Sequence, residues 1–131
     1  AMHGGTISGN TSGKRGGGVC VNGATFEMSG GEITQNTSTG DGCGGVFVPY
    51  DASTFKASGD AKVTGNAGKN VYLSPNGKGQ QISITVVGKL SDSACISVST
   101  GTTPTDDTPV TIATSAKSGW IKAGNFVSDD S

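Results

Sequence analysis

The sequence predicts an all-β protein in which short strands coil into a stack, and three observations lead to this prediction. Glycine supplies 23 of the 131 residues, well above its average usage of roughly 7%, and such an excess suits tight turns that recur between short strands. A segment of the form G-G-x-I-x-x-N recurs along the chain, and an apolar-x-apolar triplet follows each copy. No segment has the i, i+3, i+4 spacing of an amphipathic helix.

The repeat contains three strand-like segments separated by turns. Its first segment reads GGTISGN at 4–10, GGEITQN at 30–36 and GDAKVTGN at 59–66. The triplets occupy 19–21, 46–48 and 71–73, and related third segments begin at Thr25 and Thr54. Short strands that recur at this period indicate a coil of parallel β-sheet whose successive turns stack about 4.8 Å apart. We therefore predict a right-handed parallel β-helix of about three rungs over residues 1–73, with the last coil and a C-terminal β-rich cap over 74–131.

Side-chain alternation along each strand predicts which residues share a column in the interior. The predicted inward columns are Val19–Val46–Val71, Val21–Val48–Leu73, Ile7–Ile33–Val63 and Phe26–Phe55. On the outer surface the same register places Glu27 beside Lys56 and Glu32 beside Lys62, and opposite charges on neighbouring strands favour that register. One rung supplies few apolar side chains, so the rungs must stack to be stable.

An asparagine recurs at the same turn of each repeat, as Asn10, Asn36 and Asn66. Asparagine tolerates left-handed backbone angles and bonds to neighbouring backbone groups, so we expect a structural asparagine column at a tight corner. Asn10 and Asn36 also begin Asn-x-Ser/Thr sequons, which the repeat itself generates.

The end of the chain is expected to cover the last rung, since solenoids protect such ends with an atypical element. Three further strands are predicted over residues 81–87, 94–98 and 109–113. Trp120 and Phe126 are expected to pack over the core, and the alternative role for Trp120 is sugar binding. The repeat begins part-way through a unit, so we expect further coils to precede it and an uncovered first rung to favour self-association.

The alternation of GGTISGN, GGGVCV and TFEMSGG resembles the repeats of adhesin-like bacterial surface proteins with a right-handed parallel β-helix, a fold shared with pectate lyases. The resemblance covers roughly residues 2–73. It implies an extracellular or cell-surface location and, as a rule, no catalytic activity within the repeats.

Composition and charge argue against several classes of function. The net charge is −1, with basic and acidic residues interspersed, so we expect no nucleic-acid partner. No apolar stretch is long enough for a membrane helix, so no membrane insertion is expected. The cysteines Cys20, Cys43 and Cys95 lack the spacing of a zinc site and are interpreted as free thiols, with one disulfide plus a spare thiol as the alternative.

The titratable residues suggest neither an active site nor a metal or cofactor site. His3, the sole histidine, occupies an exposed corner without an evident partner. The acids Asp41, Asp51 and Asp60 fall on different loops or turns, whereas the paired carboxylates of a glycoside hydrolase must converge. Lys14 and Arg15 form a basic loop, interpreted as solvated. We predict that the chain is not an enzyme and needs no cofactor.

Outward aromatic side chains are the best candidates for ligand binding. Phe47 and Tyr72 are expected to be neighbours on one exposed sheet face, with Cys20 below them and Tyr50 in the following loop. Exposed aromatic strips stack on sugars or dock another domain. The alternative is that the tail or the loop at 49–53 covers them.

The function predicted from the sequence is a non-catalytic structural or adhesive segment of a large secreted or cell-surface bacterial protein. The alternatives are a carbohydrate-binding β-helix module and a fragment of a polysaccharide-degrading enzyme. Its expected partners are a host or self surface glycan or protein, together with neighbouring rungs of the parent protein.

Overall fold

The computed structural model describes residues 1–40, 42–50 and 52–129, and the predicted loop carboxylates Asp41 and Asp51 lie outside the described residues. All regular structure in the described part is β-strand, and it contains no helix that is long and apolar enough to cross a membrane. The strands are β1 (Thr6–Ser8), β2 (Thr11–Ser12), β3 (Val19–Cys20), β4 (Thr25–Met28), β5 (Glu32–Thr34), β6 (Thr37–Ser38), β7 (Val46–Val48), β8 (Thr54–Gly59), β9 (Lys62–Val63), β10 (Val71–Leu73), β11 (Ile84–Leu90), β12 (Cys95–Thr100), β13 (Ala113–Ser115) and β14 (Phe126–Ser128).

The strands wind into about four stacked coils with parallel pairing between successive turns. One face of the coil is the sheet β4-β8-β11-β13. The other two faces are the runs β1-β5-β9 and β3-β7-β10, which β12 joins into a single sheet, and β14 pairs with β12. The prediction of an all-β parallel β-helix is therefore confirmed, and strands β11 and β12 extend the coil beyond the repeats.

The predicted columns of apolar side chains form the core. The observed registers are Val19–Val46–Val71, Ile7–Ile33–Val63 and Phe26–Phe55, and the predicted neighbours Glu27–Lys56 and Glu32–Lys62 are also paired. Within the interior coils these side chains are fully buried, as for Phe55 at 1% and Val71 at 0% exposure. Complete burial of one such side chain stabilises the fold by about 1.5–3 kcal/mol, so the stacked columns hold the coils together.

The β-helix narrows toward its carboxyl end. The β1-β5-β9 face is connected to the β3-β7-β10 face by residues 9–18 in the first coil and by 35–45 in the second. In the third coil the connection is shorter and consists of 64–70 only. In the fourth coil the connection is absent, because β12 pairs with β9 through Ile96 and with β10 through Val98. A corner present in the first three coils is thus replaced by one continuous strand.

The C-terminal segment lies against the last coil. Phe126 pairs with Ile96 and so continues the column that begins at Ile7. Trp120 and Ile121 are partly buried against the core, and the Trp120 carbonyl accepts a hydrogen bond from the Leu90 amide at 2.9 Å. Contacts with the core match the predicted placement of Trp120 and Phe126.

Candidate functional site

The predicted aromatic pair lies on the outer surface of the β3-β7-β10 face. Cys20, Phe47, Tyr72 and Ser99 occupy successive outward positions of the same column. The Phe47 and Tyr72 rings stack with centroids 5.5 Å apart at 27°. The two aromatic residues are therefore neighbours, as the repeat predicts.

Phe47 is not exposed, and the expectation of an open face is wrong for this residue. Only 6% of Phe47 is accessible. The Arg15 guanidinium lies 5.2 Å from its ring centroid, and the Tyr72 ring covers it from the next coil. The loop after β2, which the sequence suggested to be merely solvated, thus supplies the cation that packs over this ring. A buried Phe47 stabilises the stack and offers no free ring face to a sugar.

Tyr72 is half-buried and keeps a position beside an open groove. The Lys69 ammonium lies 4.3 Å from the Tyr72 ring centroid, within cation–π range. Lys69 also lines a groove of about 520 Å³, whose other lining residues are Thr100, Thr102, Thr103, Pro104 and Ser128. This groove combines a cation with hydroxyl groups, which suits a polar or anionic ligand.

Tyr50 is 38% exposed and lies between β7 and β8. Its hydroxyl hydrogen-bonds to Asn22, on the loop between β3 and β4. The Phe47–Tyr72 stack therefore holds two of the three predicted ligand-binding residues, and Tyr50 is anchored separately.

The asparagine column is a continuous hydrogen-bonded ladder through the corner of the coils. The backbone N–H of Asn10 and its side-chain amide both donate to Asn36 Oδ1, at 3.1 and 2.9 Å. Asn36 donates in the same way to Asn66 Oδ1, at 3.1 and 3.0 Å. The column predicted from the repeat is therefore present.

Two further residues extend the ladder beyond the sequence prediction. Asn66 donates through the same two groups to Asn70 Oδ1, and Asn70 donates to the Asp129 carboxylate at 2.7 and 2.8 Å. Asn70 could have been noticed because it directly precedes the triplet at 71–73. No repeat signal marks Asp129, which reaches the ladder from the strand β14.

The left-handed residue of the ladder turn precedes the asparagine and is not the asparagine itself. Gly9, Gln35 and Gly65 have φ of 70°, 55° and 67°. The asparagine therefore does not itself carry the left-handed angle of this turn. Its role is to connect the coils through its amide.

Neither sequon offers a free amide nitrogen in the folded chain. Asn36 is 0% exposed, and its Nδ2 donates to the carbonyls of Ile7 and Thr34 as well as to Asn66. The Nδ2 of Asn10 donates to Asn36 and to the Ser8 carbonyl. Both side chains are committed to the ladder.

The titratable groups make local contacts. His3 Nδ1 lies 2.7 Å from Ser29 Oγ, a partner not foreseen from the sequence. Hydrogen bonds from Ser91 and Ser93 hold the pKa of Asp60 below its ordinary value, and the Lys122 ammonium does the same for the pKa of Asp92. Within residues 1–40, 42–50 and 52–129, no group of three or more His, Cys, Asp or Glu side chains could hold a metal ion.

Comparisons with protein-family models, with curated proteins and with solved structures gave no match for this chain. The fold is accordingly assigned from its strand pairing. The resemblance to repeats of bacterial surface proteins stays a prediction from the sequence.

Proposed function

We propose that the chain is a non-catalytic structural segment of a large secreted or cell-surface bacterial protein, in which it serves as a rigid spacer. The observation that carries the proposal is the ladder, which runs without interruption from Asn10 in the first coil to Asp129 beyond the last. Core columns and ladder together commit the inward and corner side chains to coil-to-coil contacts. Such an arrangement stabilises an extended, stiff element.

Labelling of intact cells tests the location that this proposal requires. In a bacterium that makes the parent protein, an antibody against the folded chain should label intact cells, or should detect the protein in the culture medium. An antibody to a cytoplasmic protein should label only lysed cells, as the control. Detection of the chain only after lysis would contradict a secreted or surface role.

A catalytic role is tested with a panel of acidic and neutral polysaccharides. The spacer proposal expects no release of reducing or unsaturated ends above the level of heat-unfolded chain. Release that persists through purification and disappears in an Asp60→Asn variant would favour the polysaccharide-degrading alternative. Asp107→Asn, on an exposed turn, serves as the matched control.

A second candidate function is carbohydrate binding, favoured by the Lys69 ammonium over Tyr72 beside the groove of about 520 Å³. The groove chemistry suits an acidic glycan, such as a uronate polymer. If it binds, Lys69→Ala should abolish retention on immobilised polyuronate, whereas Lys78→Ala on the exposed loop after β10 should not. Tyr72→Phe keeps the ring and tests the hydroxyl alone. Glycan retention that survives Lys69→Ala would move the site elsewhere.

A further inference from the structure

The ladder has a direction, and its two ends differ chemically. Asn36 accepts two hydrogen bonds from Asn10 in the coil before it and donates two to Asn66 in the coil after it. At the carboxyl end Asp129 can only accept, so the series of donors stops there. At the amino end, Asn10 Oδ1 accepts no hydrogen bond from the described residues, although the equivalent oxygen of Asn36 accepts two.

A glycine of the first coil provides a second, independent observation. Gly30 follows Ser29 and Gly59 follows Ser58, at equivalent positions of the repeat. A Cβ on Gly30 would lie 2.7 Å from the His3 carbonyl oxygen, and a Cβ on Gly59 would lie 2.2 Å from the Ser29 carbonyl oxygen. The carbonyl of the preceding coil therefore excludes a side chain at both positions. Gly4 occupies the same repeat position, has no positive φ and faces nothing within 4 Å.

The core columns are also incomplete at this end. Ile7, Val19 and Phe26 are half-buried, whereas their counterparts in the second coil are 0–1% exposed. Strands β1 and β3 are the outermost strands of their runs, whereas the outer edge of β4 is paired by Met2, which bridges to Met28. Apolar surface, open strand edges and an unfilled acceptor thus coincide on one end of the β-helix.

We propose that the amino-terminal end binds one further parallel coil of the same repeat, joined to the amino side of Gly4. The ladder asparagine of that coil donates to Asn10 Oδ1. The backbone carbonyl of that coil that is equivalent to the His3 and Ser29 carbonyls packs over Gly4. The established coil-to-coil interface continues through this surface in the same register. A second copy of the chain fits poorly, because its carboxyl end presents the Asp129 carboxylate to the Asn10 oxygen, one acceptor to another.

The inference rests on the proposed spacer role only for its biological use, since docking is measured without reference to location. Failure of the labelling experiment would remove the spacer proposal and leave the docking result standing. Failure of the docking experiment would leave the location result standing.

The test is an extended chain in which residues 4–29 are duplicated between His3 and Gly4. Amide exchange of Thr6–Ser8 should slow at least tenfold relative to the parent chain, and the duplicated coil should itself become protected. Protection of Val46–Val48 reports that the native coils remain folded. A duplicated coil that exchanges like unstructured chain, or that disrupts the native coils, would overturn the proposal.

Two substitutions separate a specific ladder contact from a nonspecific apolar one. Alanine at the ladder asparagine of the duplicated coil should remove most of the added protection of Thr6–Ser8. Gly4→Ala should leave the parent chain unchanged but should reduce protection in the extended chain, whereas Gly77→Ala should act equally in both. Equal effects of Gly4→Ala in both chains would refute the predicted close approach.

Sedimentation of the parent chain tests whether a second copy of the chain binds to the amino-terminal end. The sequence led us to expect self-association, but two acceptors would meet if Asp129 of one copy faced Asn10 of the next. We therefore expect a monomer at concentrations up to about 100 μM, because a contact with a Kd above that value stays mostly dissociated. A concentration-dependent dimer that protects Thr6–Ser8 from exchange would assign this end to a second copy and would overturn the proposal.

Discussion

At the scale of single residues, Asn36 combines complete burial with complete use of its polar groups. Its amide accepts from Asn10 in the coil before it and donates to Asn66 in the coil after it. It also donates to the Ile7 carbonyl of the preceding coil and to the Thr34 carbonyl of its own turn. An unsatisfied buried polar group costs about 1–3 kcal/mol. Removal of this side chain leaves several such groups at once.

We predict that Asn36→Ala lowers the free energy of unfolding by about 2–4 kcal/mol, because donors of Asn10 and acceptors on Ile7 and Asn66 lose their partner. Urea denaturation monitored by circular dichroism measures the change. The matched variant Asn10→Ala, at the exposed end of the ladder, should cost only about 1 kcal/mol. Equal costs at the two positions would contradict a role that depends on burial.

The backbone before the ladder asparagine gives a second prediction at this scale. Gln35 holds a left-handed φ of 55° that glycine holds at the other two turns. Because glycine adopts this region without a Cβ penalty, Gln35→Gly should stabilise the chain by about 0.5–1 kcal/mol. Gly9→Ala, where nothing lies within 4 Å of the new Cβ, should destabilise it by about 1 kcal/mol. Thermal unfolding of both variants checks the opposite signs.

At the scale of elements, the coils approach each other closely wherever a glycine faces a neighbouring carbonyl. A Cβ on Gly45 would lie 2.0 Å from the Asn70 carbonyl oxygen. This glycine precedes β7, and the same carbonyl accepts the Val46 amide hydrogen at 2.7 Å. A displaced backbone would therefore break strand pairing between the second and third coils.

We predict that Gly45→Ala destabilises the chain by about 3 kcal/mol or more, at the upper end of the cost of overpacking. Gly77→Ala, on the open loop after β10, should change stability by less than about 0.5 kcal/mol. Chemical denaturation of the two variants provides the comparison. A small effect of Gly45→Ala would show that the coils can separate locally at little cost.

The strand registers could be predicted from the sequence because two independent features of the repeat indicate the same register. These are the spacing of its apolar residues and the opposite charges on neighbouring strands. The cover over Phe47 could not be predicted, since the contact with Arg15 joins a loop of one coil to a strand of the next. The left-handed residue of the ladder turn could not be identified from the sequence, because glycine and asparagine both tolerate that conformation and only the backbone angles distinguish them. The narrowing of the β-helix in the third coil was indicated by the shorter spacing between Val63 and Val71.

At the scale of the whole molecule, the ladder links the first coil to the C-terminal strand β14. The Asp129 carboxylate accepts both donors of Asn70, which is itself only 8% exposed. Charge-assisted hydrogen bonds of this length are stronger than neutral ones. The tail is therefore held by a polar contact as well as by Phe126.

We predict that Asp129→Ala lowers stability by about 1–2 kcal/mol and accelerates amide exchange in Phe126–Ser128, because the Asn70 donors lose their acceptor. Asp129→Asn keeps an acceptor oxygen and should have a smaller effect. Asp107→Ala, on an exposed turn, is the control for charge removal. Unchanged exchange in β14 after Asp129→Ala would show that apolar packing alone holds the tail.

The corner that disappears in β12 makes the units of this molecule non-interchangeable. A column of uniform width tolerates deletion or copying of any unit, and gene rearrangement can lengthen or shorten it freely. Here the third coil lies between the second coil, which has a long corner connection, and the fourth coil, which has none. Deleting the third coil would therefore stack two coils of different cross-section on each other. We therefore expect length variants to differ at the broad end and to share the narrow end.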